Sequence, residues 1–209
     1  MLICQDKDER FNSISHLIGA ITALVGLVIL VVVAARQGNP WKIVSFGVYG
    51  TTLFFFYVIS TLYHSVQGPA KRIFRKLDHY AIYLLIAGTY TTLTLVTLHG
   101  GWGWTIFGII WGLALMGFLL EALPQGKNRV LSVVVYVLMG WLLMVALKPL
   151  LLALPLTGFW WLLLGGCLYT GGLVFYFYDD TIRYFHGIWH LFVLAGSACH
   201  YITILFFVA

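Results

Sequence analysis

His186 and His190 stand four residues apart, so on a helix they share one face with about 6 Å of rise between them. That spacing lets two imidazoles reach one metal ion, although such a pair also occurs as ordinary surface or core histidines. His64 lies far upstream, with Ser60 one turn before it on the same helical face, and Asp78 follows 14 residues later. Three neutral imidazoles with an open fourth position are the ligand set of a catalytic zinc; a structural zinc is usually closed by four protein ligands, often cysteines. A carboxylate such as Asp78 beside that ion can orient a water or take its proton, and a hydroxyl such as Ser60 can hold the water or a substrate carbonyl. Each residue has a plainer alternative. Asp78 could pair with Lys76 or Arg75, and Ser60 could bond back to its own helix.

What brings such distant residues together must be the arrangement of the segments that carry them. The chain has 209 residues, 61% hydrophobic and 9% charged, against about 25% charged in a soluble domain. This composition excludes an ordinary soluble protein, a disordered chain and a nucleic-acid-binding tail. About 20 apolar residues cross a bilayer as a helix. Seven segments qualify: Ser15–Ala35, Lys42–Tyr63, Tyr80–Leu98, Trp104–Leu123, Leu131–Leu147, Gly158–Tyr178 and His186–Val208. Pro40, Pro69, Pro124, Pro149 and Pro155 fall between or at the ends of these segments, which predicts seven unbroken helices. The longest link runs from His64 to His79, so residues 1–209 read as a single all-α transmembrane bundle with a short cytoplasmic N-terminal segment.

Cationic residues predict the orientation. Lys7, Arg10, Lys71, Arg72, Arg75, Lys76, Lys127, Arg129 and Arg183 belong to the side of the N-terminus, and Arg36, Lys42 and Lys148 to the other, which places the N-terminus inside and the C-terminus outside. Trp41, Trp102, Trp104, Trp160 and Trp161 gather at the predicted outer ends as interfacial anchors. Gly19 with Ala23, and Gly165 and Gly166 with Thr170, predict close helix contacts. Cys4, Cys167 and Cys199 are read as packing residues, and no signal peptide is expected ahead of the first helix.

This topology returns the chemistry to one place. The second helix ends inside at His64, the third starts inside with Asp78 just before it, and the seventh starts inside with His186. All therefore reach one membrane level, where ionisable groups are costly and mark function. His200 is about 15 Å along the helix from His190, too far to share its ion. His99 lies outside, His79 points away from Asp78's side of its helix, and His16 begins the first helix on the inner side, where it could either support the site from behind or simply pack.

The strings Glu9-Arg-Phe-Asn12-Ser-Ile-Ser15-His16-Leu-Ile-Gly19, Ser60-Thr-Leu-Tyr-His64, Lys76-Leu-Asp78-His-Tyr-Ala-Ile-Tyr-Leu-Leu-Ile-Ala-Gly88-Thr-Tyr and His186-Gly-Ile-Trp-His190 resemble the bacterial haemolysin III branch of the progestin and adipoQ receptor family. The resemblance covers essentially the whole chain. It implies a seven-helix bundle with its N-terminus inside, in a bacterial plasma membrane, and a zinc ion held by His64, His186 and His190 with Asp78 and Ser60 close by. The wider superfamily includes alkaline ceramidases. The expected activity is therefore zinc-dependent hydrolysis of lipid amides or esters in support of membrane homeostasis, with membrane lipids as partners and no role for nucleic acid. Two other functions remain open: a receptor-like or structural protein with a non-catalytic zinc, and a pore or transporter with cytolytic activity. The latter prefers ionisable groups through the whole membrane depth, whereas here they gather near one face.

Overall fold

In the computed structural model the backbone is described for residues 2–122 and 129–209, and the side chains for 9–122 and 130–209. Pro124 and Lys127, and the side chains of Cys4, Lys7 and Arg129, lie outside the described residues. The elements are α1 (Leu2–Gln37), α2 (Pro40–Ser65), α3 (Pro69–Thr92), α4 (Gly100–Ala122), α5 (Arg129–Trp141), α6 (Leu147–Ala153), α7 (Leu156–Phe177) and α8 (Phe185–Thr203). Among the described residues seven helices are long and apolar enough to cross a membrane; α5 and α6 form one of them, joined by a 3-10 turn over Leu142–Ala146. Short π-helical turns, Leu93–Leu98 and Ile204–Val208, extend α3 and α8.

Local chemistry sets the boundaries. Gly38 and Gly68 supply the positive φ of the two tight turns, a conformation that costs glycine little. Each is followed within two residues by a proline at the start of the next helix, where a missing N–H removes no helical bond. The Asn39 side chain also accepts bonds from the Trp41 and Lys42 amides, capping α2.

Two expectations are corrected. The third helix starts at Pro69, not Tyr80, so the long link from His64 to His79 is in fact a turn over residues 66–68 and the first turns of α3. Lys71, Arg72, Arg75 and Lys76 make that stretch polar because the helix extends past the apolar core. From Asp78 to Leu98 there are 20 residue steps, about 30 Å of rise, which is the whole hydrocarbon thickness. Asp78 therefore lies inside α3, at the hydrocarbon edge.

The fifth span is not unbroken, and it continues to Ala153 past Pro149. The Tyr90 hydroxyl enters its ladder, donating to the Gly140 carbonyl at 2.9 Å and accepting from the Leu143 amide at 2.9 Å. A side chain inserted between turns breaks the regular helix at that point. Pro149 has no N–H to offer the carbonyl four residues back, at Val145, within the same 3-10 stretch.

The helices pack in sequence, α1 on α2, α2 on α3, α3 on α4 and α7 on α8, and α8 returns to α1. Small residues set the closest approaches. A Cβ on Gly88 would fall 2.2 Å from the Thr52 Oγ1 of α2, and one on Gly19 would fall 2.7 Å from the Tyr57 ring. Gly165 lies against the His200 ring, while Gly166 makes only an ordinary contact with Trp141, whose Nε1 donates to Thr170 Oγ1 at 3.1 Å.

Candidate metal centre

The alternating helices collect the predicted residues at one end. His64 lies in the last turn of α2, and His186 and His190 lie in the first two turns of α8, which Tyr184 enters through a left-handed conformation. The ligating atoms of these three histidines lie within 4.8 Å of one another. Their rings stand 4.8 to 5.1 Å apart, centroid to centroid, in a triangle with no stacked pair.

Each ring is held from behind through Nδ1. Glu9 Oε2 accepts from His64 at 2.6 Å, and Asp179 Oδ2 accepts from His186 at 2.6 Å. The Ser15 hydroxyl donates to the Asn12 carbonyl at 2.9 Å, so its oxygen is left to accept from His190 Nδ1 at 3.4 Å. The carboxylates at His64 and His186 and the Ser15 oxygen at His190 favour a proton on Nδ1, which leaves the Nε2 lone pair of each ring for a metal. His64 Nε2 is buried and has no hydrogen-bond partner, an arrangement costly for a polar atom unless something else occupies it. The residues present thus fit a cation bound by three neutral imidazoles.

Asp78 does not pair with Lys76 or Arg75. Its Oδ1 is buried without a hydrogen-bond partner, and the carboxylate lies near His64, His186 and the Ser60 hydroxyl. Ser60 is itself buried on the His64 face of α2. The structure therefore brings all five predicted residues to one end of the bundle.

The other histidines separate as expected. His79 turns to Glu121, Nδ1 to Oε2 at 3.2 Å, and the Ser132 hydroxyl bonds the other oxygen of that carboxylate. His200 donates from Nε2 to the Leu162 carbonyl at 3.2 Å, tying α8 to α7. His99 lies at the opposite end of the bundle. His16 is fully buried and stacks on His190 with centroids 3.7 Å apart, and the Tyr57 ring stands nearly perpendicular to it at 5.0 Å.

Sequence reasoning missed the residues that grip the rings. Glu9 was visible only as the first letter of a matched string, and it also accepts from Lys71 Nζ at 2.9 Å, linking α1, α2 and α3. Asp179, seven residues before His186 in the turn ahead of α8, had one available signal, a carboxylate next to a candidate ligand pair.

A bundle of seven apolar helices with a histidine cluster at one end defines an integral membrane protein with a candidate metal centre at the edge of its hydrocarbon zone. The family model for haemolysin-III-related proteins matches residues 4–201, and the chain belongs to that family. It is 45% identical over 203 residues to "Hemolysin-3" of Bacillus cereus, covering 97% of this chain and 92% of that protein. It is 43% identical over 202 residues to the "Hemolysin-3 homolog" of Bacillus subtilis (strain 168), covering 96% and 94%. A more distant relative is the human "Monocyte to macrophage differentiation factor", 27% identical over 206 residues, covering 94% and 83%.

Proposed function

We propose that His64, His186 and His190 hold a zinc ion and that the protein hydrolyses an amide or ester bond of a membrane lipid, in a ceramidase-like reaction that supports membrane homeostasis. The observation that carries this reading is the coincidence of two orphaned acceptors at one place, His64 Nε2 and Asp78 Oδ1. The first suits a metal and the second a proton. Zinc supplies Lewis acidity toward a carbonyl oxygen and makes water easier to deprotonate.

This chain's residues do the rest. Glu9, Asp179 and Ser15 keep the three rings in the ligating tautomer. Asp78 takes a proton from the attacking water as the water oxygen bonds to the carbonyl carbon, then returns it to the nitrogen or oxygen that leaves when the acyl bond breaks. Ser60 orients that carboxylate or donates to the carbonyl oxygen. A position at the hydrocarbon edge suits a substrate with a polar head and apolar tails.

The test is to incubate zinc-loaded protein with ceramides, acyl-amides and phospholipids and measure released fatty acid by mass spectrometry. Asp78→Ala is expected to lower turnover by about 10²–10⁴-fold while zinc content stays near that of the parent, and Ser60→Ala to lower it less. Release no greater than that of a His64→Ala/His186→Ala/His190→Ala variant would leave the zinc a structural role in tying α2 to α8.

A further inference from the structure

At the end of the bundle opposite the histidines, two neighbouring cavities of about 300 and 160 Å³ share His99 as a common wall. We propose that this pair forms a phospholipid-binding site, with the phosphate held by Lys42, His99 and Thr97 and the acyl part lying against Phe207 and Val208. The inference stands independently of any metal at the histidine cluster.

Charge is the first argument. Among the described residues the acidic side chains, Glu9, Asp78, Glu121, Asp179 and Asp180, all fall toward the histidine end. Among the described residues the opposite end carries Arg36, Lys42 and Lys148 and no acidic side chain. Lys42 lines the larger cavity, half-buried, its Nζ held by Gln37 Oε1 at 2.7 Å. An ammonium carries three donors and Gln37, a neutral amide, takes one of them, which leaves two for an anion.

The second argument is an idle hydroxyl. Thr89, Thr91, Thr92 and Thr94 each donate to a carbonyl of their own helix at 2.7 to 2.8 Å, the usual way a buried threonine is satisfied. Thr97, in the same run, does not. Its Oγ1 is buried without a partner, and the residue lines the larger cavity. It lies in the π-helical turn that ends at His99, whose φ of +48° is uncommon for a side-chain-bearing residue. The turn thus places a hydroxyl and an imidazole on the same cavity as the Lys42 ammonium.

The surroundings favour a lipid over a free anion. Phe207 and Val208 give the larger cavity an apolar wall, and Trp41 and Trp104 line the smaller one, in edge contact with centroids 5.8 Å apart. Tryptophans at this position mark the level of lipid headgroups, and basic pockets between membrane helices suit anionic ones.

The test uses the full chain in maltoside micelles free of phospholipid, titrated separately with dioctanoyl phosphatidylglycerol, dioctanoylglycerol and inorganic phosphate. Bound ligand is read by native mass spectrometry and by the shift in unfolding temperature. Phosphatidylglycerol is expected to bind at least about tenfold more tightly than dioctanoylglycerol. Lys42→Gln should weaken it by about tenfold, and Thr97→Val by less, because a bond to a charged group is worth more than a neutral one. Lys148→Gln, a cation at the same end outside both cavities, should bind as the parent does. Inorganic phosphate that binds alone with the same dependence on Lys42 would uphold the phosphate site and name the free anion as its source. Equal binding of dioctanoylglycerol, or phosphatidylglycerol binding unchanged in both Lys42→Gln and Thr97→Val, overturns the proposal.

Discussion

Removing the carboxylate behind a ligand should weaken the metal without touching a ligand, and the structure grades that effect between two positions. Asp179 accepts from His186 Nδ1 with a side chain only 5% exposed, whereas Glu9 accepts from His64 Nδ1 with 29% of its side chain exposed. Loss of such a partner typically lowers metal affinity by about 10–100-fold, or about 1.4 to 2.7 kcal/mol. At Glu9 a water can enter and accept the same proton, so Glu9→Ala belongs near tenfold. At Asp179 there is little room for a replacement, so Asp179→Ala belongs near 100-fold. The two act on different rings; to first order their free energies add, and the double variant should bind zinc about 1,000-fold more weakly. Lys71→Ala, which removes the second partner of Glu9 and leaves the carboxylate on His64, should change affinity by less than either. The assay is zinc competition against a chromogenic chelator, with the unfolding temperature of each metal-free variant confirming an intact fold. An Asp179→Ala protein that folds and binds zinc within about twofold of the parent would refute the reasoning.

Three further outcomes are expected. Elemental analysis should find about one zinc per parent chain and much less in His186→Ala or His190→Ala, since two remaining imidazoles hold the ion weakly; full occupancy in the double variant would remove these residues from the site. Gly88→Ala should destabilise the bundle by about 1–3 kcal/mol, because its methyl meets Thr52 Oγ1 at 2.2 Å; Thr52→Ala should restore much of the loss, measured by chemical unfolding in detergent. Reporters fused in the 66–68 turn and at the C-terminus should report opposite sides of the membrane, with the turn inside; the same side for both would contradict seven spans.

How far the sequence could be read depended on whether a feature repeats along one helix or forms between helices. His186 and His190 were legible because their spacing matches the helical turn, and His64 and Asp78 because alternating spans return the chain to one level. Glu9 and Asp179 obey no spacing rule relative to the rings they hold, since those contacts exist only after α1 and the turn before α8 have packed against the ligands. Apolarity found the spans but misplaced the start of α3, whose first turns carry four cations and still form regular helix. It also could not foresee the break at Trp141, which is made by a hydroxyl 50 residues away in sequence.

That hydroxyl has a consequence for how the protein is made. In the folded bundle Tyr90 bonds the fifth span's backbone at Gly140 and Leu143, so α3 supplies two partners to a stretch where that span's own ladder is interrupted, at a depth where an unpaired peptide group costs several kcal/mol. The third segment emerges from the ribosome before the fifth and is already in the bilayer when its partner arrives. The fifth span can therefore take its interrupted form only where α3 is already beside it, and a Tyr90→Phe chain, which loses both bonds, is expected to let that stretch return toward regular helix and to loosen its packing on α3.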